Sequence, residues 1–206
     1  MYSNNLNHNN IHKDSISYLK SLERKKYYKL RKSVSENTKG FILKNFIDYI
    51  KNNKVFSNPL KYTAIYWPIK DEIDLRIIKN YITSKIALPF CNKSNNIDFL
   101  EWDNSPLIKD SKGILAPNNM KILTPDKIST IFVSALTIDP RNIRLGYGGG
   151  FYDRLRSSSI WMVPKTIAVL PEICLSKSFL PKEKWDIPIN GYITEKTISI
   201  QSNSQY

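Results

Sequence analysis

Apolar side chains recur at helical spacing near the start of the chain. Ile16, Leu19 and Leu22, then Tyr27, Leu30 and Val34, form an imperfect stripe that predicts a helix over 14–34. Asp14 or Ser15 stands where its cap belongs. A second helix is predicted after Ser35, with Ile42, Leu43, Phe46, Ile47 and Ile50 facing inward. Asn52-Asn53 and Ser57-Asn58-Pro59 end it. The run from Tyr62 to Trp67, stopped by Pro68, reads as a strand. Residues 71–84 return to helical spacing through Ile73, Ile77, Ile78, Tyr81 and Ile82. Shorter strands are predicted over 86–90 and 97–102. Residues 103–127 hold Pro106, Gly113, Pro117 and Pro125 without periodicity. A loop of that length inside one domain is unusual unless it serves a site. A strongly apolar strand follows over 130–136, then a helix starting at Phe151 and strands over 166–170 and 192–194. Strands alternating with helices define an α/β protein with a mainly parallel sheet covered on both faces.

Composition narrows the reading. With 206 residues and 41% apolar positions the chain suits one sizeable domain. The formal charge of +13 favours anionic partners such as nucleotides, acidic metabolites or nucleic acid. Ile, Lys and Asn are heavily used, as an AT-rich coding sequence would give. The position of each charge therefore matters more than the sum. Cys91 and Cys174 stand far apart with no second ligand pair, so a disulfide framework and a zinc site are both disfavoured. No stretch reaches the roughly 20 apolar residues that span a bilayer. The Asn-rich start has no apolar core of a secretory signal. These features predict a cytoplasmic protein with no membrane partner.

Glycine is scarce, at seven residues, and four of them fall within Gly146-Tyr147-Gly148-Gly149-Gly150. Glycine admits positive φ and lets a ligand approach the backbone N–H groups. A glycine loop feeding a helix start aims several donors at one point, as a phosphate requires. Arg144 beside it can add a charge-assisted contact. The competing reading is a tight turn whose glycines serve geometry alone. The loop is not a Walker A motif, because no Lys-Ser or Lys-Thr follows. Nor is it a G-x-G-x-x-G fingerprint, because the sixth residue counted from Gly146 is Phe151 and from Gly148 is Asp153. Lys20 and Arg24, four apart on one helical face, suit either phosphate binding or a solvated basic face.

The segment Arg144-Leu145-Gly146-Tyr147-Gly148-Gly149-Gly150-Phe151-Tyr152-Asp153-Arg154 resembles the R-L-G-x-G-x-G-Y-Y-D signature of the 5-formyltetrahydrofolate cyclo-ligase family. Other family patterns follow in order. Lys20-Ser21-Leu22-Glu23-Arg24 matches K-x-x-x-R, and Arg31-Lys32-Ser33-Val34-Ser35 is similar to R-R-x-L-S. Asp71-Glu72-Ile73 stands after a strand, and Trp185-Asp186-Ile187-Pro188-Ile189-Asn190 resembles H/N-D-x-x-V-D. The likeness runs from about residue 18 to 196.

The resemblance implies a three-layer α/β/α, Rossmann-like fold. It implies one cyclo-ligase domain over 14–196; the polar start, 1–13, reads as a flexible tail and 197–206 as a tail. It implies ATP- and Mg2+-dependent closure of 5-formyltetrahydrofolate, including polyglutamylated forms, to 5,10-methenyltetrahydrofolate with release of ADP and phosphate. By the same resemblance ATP is held by Lys20, Arg24, Arg144, Leu145, Gly146, Tyr147, Gly148, Gly149, Gly150, Phe151 and Tyr152. The folate meets Trp67, Glu72, Gly148, Gly149, Gly150, Phe151 and Tyr152. Lys20, Arg144 and Tyr152 serve catalysis, and Asp153 and Asp186 hold the metal. Trp67 has a second reading as core packing at a strand end. His8 and His12 have no role.

The chain departs from the family pattern at Ala116 (usually Glu), Ser134 (Pro), Glu172 (Gln), Trp185 (His or Asn) and Asn190 (Asp). Two rival functions remain in view. One is another ATP-dependent enzyme that uses the same phosphate loop. The other is a basic nucleic-acid binder, for which charge and 12 Tyr speak but no recognition motif does.

Overall fold

The computed structural model describes residues 15–103, 105–119 and 121–201. The first predicted helix is α1 (Ile16–Lys32), capped by Ser15, whose hydroxyl accepts the Tyr18 N–H at 3.2 Å. Asp14, His8 and His12 lie outside the described residues. The apolar stripe faces the core only through its second half, where Tyr27 is buried and Leu30 packs against the core. Leu19 and Leu22 are exposed, and the buried positions of α1 are Lys20, Tyr27 and Arg31. Helix α2 (Glu36–Lys51) follows the pattern closely. Ser35 caps it through the Thr38 N–H, and Ile42, Phe46 and Ile50 are buried.

Eleven strands follow in chain order. They are β1 (Tyr62–Ala64), β2 (Lys85–Cys91), β3 (Ile97–Glu101), β4 (Leu107–Lys109), β5 (Leu115–Pro117) and β6 (Ile128–Val133). Then come β7 (Thr137–Ile138), β8 (Arg144–Leu145), β9 (Lys165–Val169), β10 (Gly191–Ile193) and β11 (Ile198–Ile200). Helix α3 (Phe151–Arg156) lies between β8 and β9. The central sheet has seven strands in the order β11-β10-β9-β6-β1-β2-β3. Its inner strands, β10 through β2, run parallel. The edge strands β3 and β11 are antiparallel to their neighbours. The α/β reading with a mainly parallel sheet is thus what the chain adopts. Strand β11 corrects one expectation, since 198–200 belong to the sheet rather than to a tail.

Two more segments differ from the sequence reading. Residues 71–84 do not form an α-helix. Lys70 takes a positive φ of 50°, and the Glu72 N–H turns back to the Ile69 carbonyl. The Asp74 carboxylate then caps the Arg76 N–H, so only a short 3-10 segment, Leu75–Asn80, remains. Ile73 and Ile78 are buried, whereas Ile77 and Tyr81 face solvent. The stretch 103–127 is not wholly irregular, because β4 and β5 pair as a hairpin within it.

Strand alternation splits the core between the two sheet faces. Ile131, Val133 and Ala168 pack with Tyr27 and Leu155, on the side of α1 and α3. Phe132, Ile167 and Val169 pack with Ile42, Phe46 and Ile50, on the side of α2. Phe132 anchors the second face. Its ring meets Phe46 edge-on at 5.0 Å and stacks on Phe56 at 5.9 Å. Truncation of such a buried ring leaves a cavity. Phe132→Ala should therefore lower unfolding free energy by about 3–5 kcal/mol, read from the midpoint of urea unfolding.

Candidate active site

A cleft of about 420 Å3 opens where the chain leaves the C-terminal ends of β1 and β6. Ligand clefts in open α/β sheets gather at that end of the strands. Every residue singled out from the sequence as a site candidate lines it: Lys20, Arg24, Trp67, Glu72, the run 144–153 and Asp186.

One end of the cleft is cationic. Lys20 donates to Asp186 Oδ2 at 2.5 Å, and both side chains are buried. The Glu183 N–H adds a second bond to the same oxygen at 2.6 Å. Arg156 on α3 bonds the Pro188 carbonyl at 2.8 Å and so tethers the segment carrying Asp186. Arg24 Nε donates to the Gly146 carbonyl at 3.0 Å, which ties α1 to the glycine loop. Burial lowers the Arg24 pKa, while Asp153 and Asp186 oppose that and Arg144 adds to it. Arg144 bonds the Ser134 carbonyl at 3.1 Å and reaches Asp153 at 3.5 Å.

The loop itself needs glycine at two points of left-handed backbone, Gly148 (φ 102°) and Gly150 (φ 66°). Gly150 is the N-cap of α3, which has only six residues. A longer helix would add its dipole to an anion site at this end. A helix this short carries little of one, so the cations and loop N–H groups dominate.

The other end is aromatic and holds one carboxylate. Glu72 is nearly fully buried and accepts the Ile69 N–H at 2.8 Å. Burial pushes its pKa up. Hydrogen bonds from Ile69, Ser134 and Tyr147 and the charge of Arg31 work against that. Trp67 is half-buried, meets Trp102 edge-on at 5.9 Å and carries Arg76 over its ring at 4.4 Å. Trp67 thus packs in the wall and also lines the cleft. Burial raises the Tyr152 and Tyr147 hydroxyl pKa values well above neutrality, so both stay protonated donors.

Sequence reasoning missed several lining residues. Tyr66, Ile69 and Ser134 sit beside Glu72, and Trp185 sits beside Asp186. Asp110, Lys112 and Ile114 come from the β4–β5 hairpin. The Asp110 carboxylate accepts the Cys91 N–H at 3.0 Å, which holds the hairpin against β2. The signal for this wall was the length of the 103–127 stretch, without the residues. Cys91 is buried in the same wall, and burial pushes its thiol up to about 12.

The departures from the family pattern fall in different places. Ser134 and Trp185 line the cleft. Asn190 does not: its Oδ1 accepts the Thr166 N–H at 2.8 Å, a task any Asx oxygen performs. Glu172 bonds the Thr194 hydroxyl on the far side of β10, and Ala116 is fully buried in β5.

Among the described residues no group of three acidic, His or Cys side chains could hold a metal unaided. A magnesium ion takes one or two carboxylates, completing its shell with water and phosphate oxygens. Asp153, one-third exposed, and Asp186 fit that pattern only with a phosphate present.

An α/β fold with a cleft at the C-terminal ends of its strands, lined by a glycine loop, three cations and an aromatic end, has the layout of an enzyme active site. The comparisons give the family. Residues 21–195 match the 5-formyltetrahydrofolate cyclo-ligase family, and the chain belongs to it. The 5-formyltetrahydrofolate cyclo-ligase of Haemophilus influenzae is 27% identical over 146 residues, 66% of this chain and 77% of that one. That of Escherichia coli K12 is 32% identical over 120 residues, 55% of this chain and 65% of the other. The structure of 5,10-methenyltetrahydrofolate synthetase from Aquifex aeolicus superposes with a TM-score of 0.74 at 26% identity, covering 91% of this chain and 95% of that one. A synthetase of the same name from Mycoplasma pneumoniae, at 18% identity and a TM-score of 0.65, shares the fold over 85% of this chain and 98% of its own.

Glu72 makes stability depend on pH. Its folded pKa lies above the unfolded value of 4.5, so the fold favours the protonated form. That contribution is complete below about 4.5 and is lost as pH rises through the folded value. Glu72→Gln removes the loss and keeps an acceptor for the Ile69 N–H. In urea unfolding at pH 4.5 and pH 8, the variant should gain on the wild type as pH rises and be the more stable at pH 8. A constant difference would place the Glu72 charge outside the low-dielectric wall.

Proposed function

We propose that the chain closes 5-formyltetrahydrofolate to 5,10-methenyltetrahydrofolate at the expense of ATP, with Mg2+, releasing ADP and phosphate. The observation that carries this reading is the single cleft that joins the Lys20, Arg24, Arg144 and glycine-loop end to the Glu72 and Trp67 end. The family match supports a cyclo-ligase reaction there.

A formamide oxygen is a poor leaving group and must be activated. In the proposed sequence the formyl oxygen attacks the γ-phosphorus in line and ADP leaves. The formyl carbon is then an imino-phosphate on the pterin's formylated nitrogen. The position-10 nitrogen attacks that carbon and loses its proton, and the C–O bond breaks to release phosphate. Such transfers rely on positioning and charge stabilisation. Lys20, Arg24 and Arg144 and the loop N–H groups neutralise the phosphate oxygens. Tyr152, held protonated by burial, donates toward the formyl oxygen. Glu72 accepts from the amino and ring N–H groups of the pterin, and Trp67 covers its ring. Asp153 and Asp186 would hold Mg2+, which adds charge neutralisation at the phosphate oxygens. For Asp186 to serve, the Lys20 ammonium shifts from the carboxylate toward the incoming phosphate.

The deciding assay supplies 5-formyltetrahydrofolate, ATP and Mg2+ and follows the methenyl chromophore in the near ultraviolet. No product at micromolar enzyme, with a known family member active alongside, overturns the proposal. Asp153→Asn should lower turnover at least about 10-fold with the fold intact. Lys20→Ala should raise the apparent KM for ATP. It should also destabilise the protein by about 3 kcal/mol, because the Asp186 charge is left buried and unpaired. Adding Asp186→Asn should recover much of that stability but none of the ATP affinity.

A further inference from the structure

The family match and the proposed reaction leave one buried charge behind the cleft wall without a task. Arg31 is 1% exposed and sits on α1, eleven residues beyond Lys20 and so on nearly the same helical face. Its Nη1 donates to the Ala135 carbonyl at 2.6 Å and its Nε to the Asp71 carbonyl at 3.2 Å. Nη2 is buried with no hydrogen-bond partner. The two carbonyls belong to the immediate chain neighbours of Ser134 and Glu72, both of which line the cleft. One guanidinium therefore pins the chain leaving β6 and the turn after β1.

We propose that Arg31 is a positioning residue for the ring-binding end of the cleft, setting the place of Glu72 and Ser134 and supplying the fixed positive charge behind Glu72. This rests on the proposed folate reaction. The titratable and charged groups facing Glu72 are Arg31 from α1, Tyr66 from the segment after β1, Tyr147 from the glycine loop and Tyr152 from α3. The tyrosines are neutral at working pH, so Arg31 is the charge in that set. Only arginine supplies a rigid fork that reaches two carbonyls at once. A lysine keeps the charge and loses the fork. A glutamine loses the charge.

The test uses the full chain, steady-state kinetics for each substrate and the pH profile of kcat/KM for 5-formyltetrahydrofolate. Thermal melting selects the folded variants. Arg31→Lys should raise the folate KM about tenfold or more, leave the ATP KM within about twofold and keep the acid limb of the profile in place. Arg31→Gln should raise the folate KM and also move the acid limb to higher pH, because Glu72 then ionises later. Glu72→Gln should abolish that limb. If Arg31→Gln does not fold, the KM split in Arg31→Lys decides alone. An unchanged folate KM, or equal rises for folate and ATP, overturns the assignment, as does an unmoved acid limb in a folded Arg31→Gln. An inactive wild type instead defeats the proposed reaction itself, before any variant is compared.

Discussion

A cation removed from water must be met by a carboxylate or by carbonyl oxygens, and α1 removes two of them. Lys20 meets Asp186, and Arg31 meets the carbonyls of Asp71 and Ala135. Arg24, half-buried between them, meets the Gly146 carbonyl. Each of these partners lies in or beside a different wall of the cleft. The helix is thus oriented by its charges more than by its leucines, and the loops around the cleft are drawn to it. With α1 turned otherwise, the glycine loop, the Asp186 turn and the Glu72 turn would lose their common support.

That requirement explains how the cleft divides. The cationic end is built from long side chains, of which Arg24 and Arg144 each bond a single carbonyl there. The ring end is built from buried groups with fixed partners, such as the Tyr66 hydroxyl on the Ile73 carbonyl at 2.7 Å. A phosphate of variable charge suits the first, and a planar heterocycle suits the second. The β4–β5 hairpin closes one side of the cleft with Asp110, Lys112 and Ile114, and it also carries Ala116, one of the departures from the family pattern.

The fold was legible wherever burial followed period. Helix α2 and strand β6 have apolar faces that match their neighbours, and the pattern located both. Helix α1 was located correctly, and Tyr27 and Leu30 face the core as expected, but Leu19 and Leu22 face solvent where Lys20 turns inward, because hydrophobic spacing carries no information about a buried ion pair. The helix expected at 71–84 failed at Lys70 and Asp74, where a left-handed residue and a side-chain cap override a periodic run of isoleucines. Within the site, the glycine loop stood out against a glycine-poor chain. Arg31 stood in a family pattern but without a role, because in sequence it is one of seven cations between 20 and 32, and the carbonyls it reaches give it one. Asn190 shows the converse. It looked like a change in the site and proves to be an acceptor in the β9–β10 connection.

The ion pair between Lys20 and Asp186 joins residues 166 positions apart. Closing so long a loop is entropically late in folding, and contacts of that range slow the search. A chain emerging from the ribosome therefore carries α1 with its ammonium still in water until the segment beyond β9 has been made. The Lys20–Asp186 corner of the cleft is thus among the last parts of the fold to be completed.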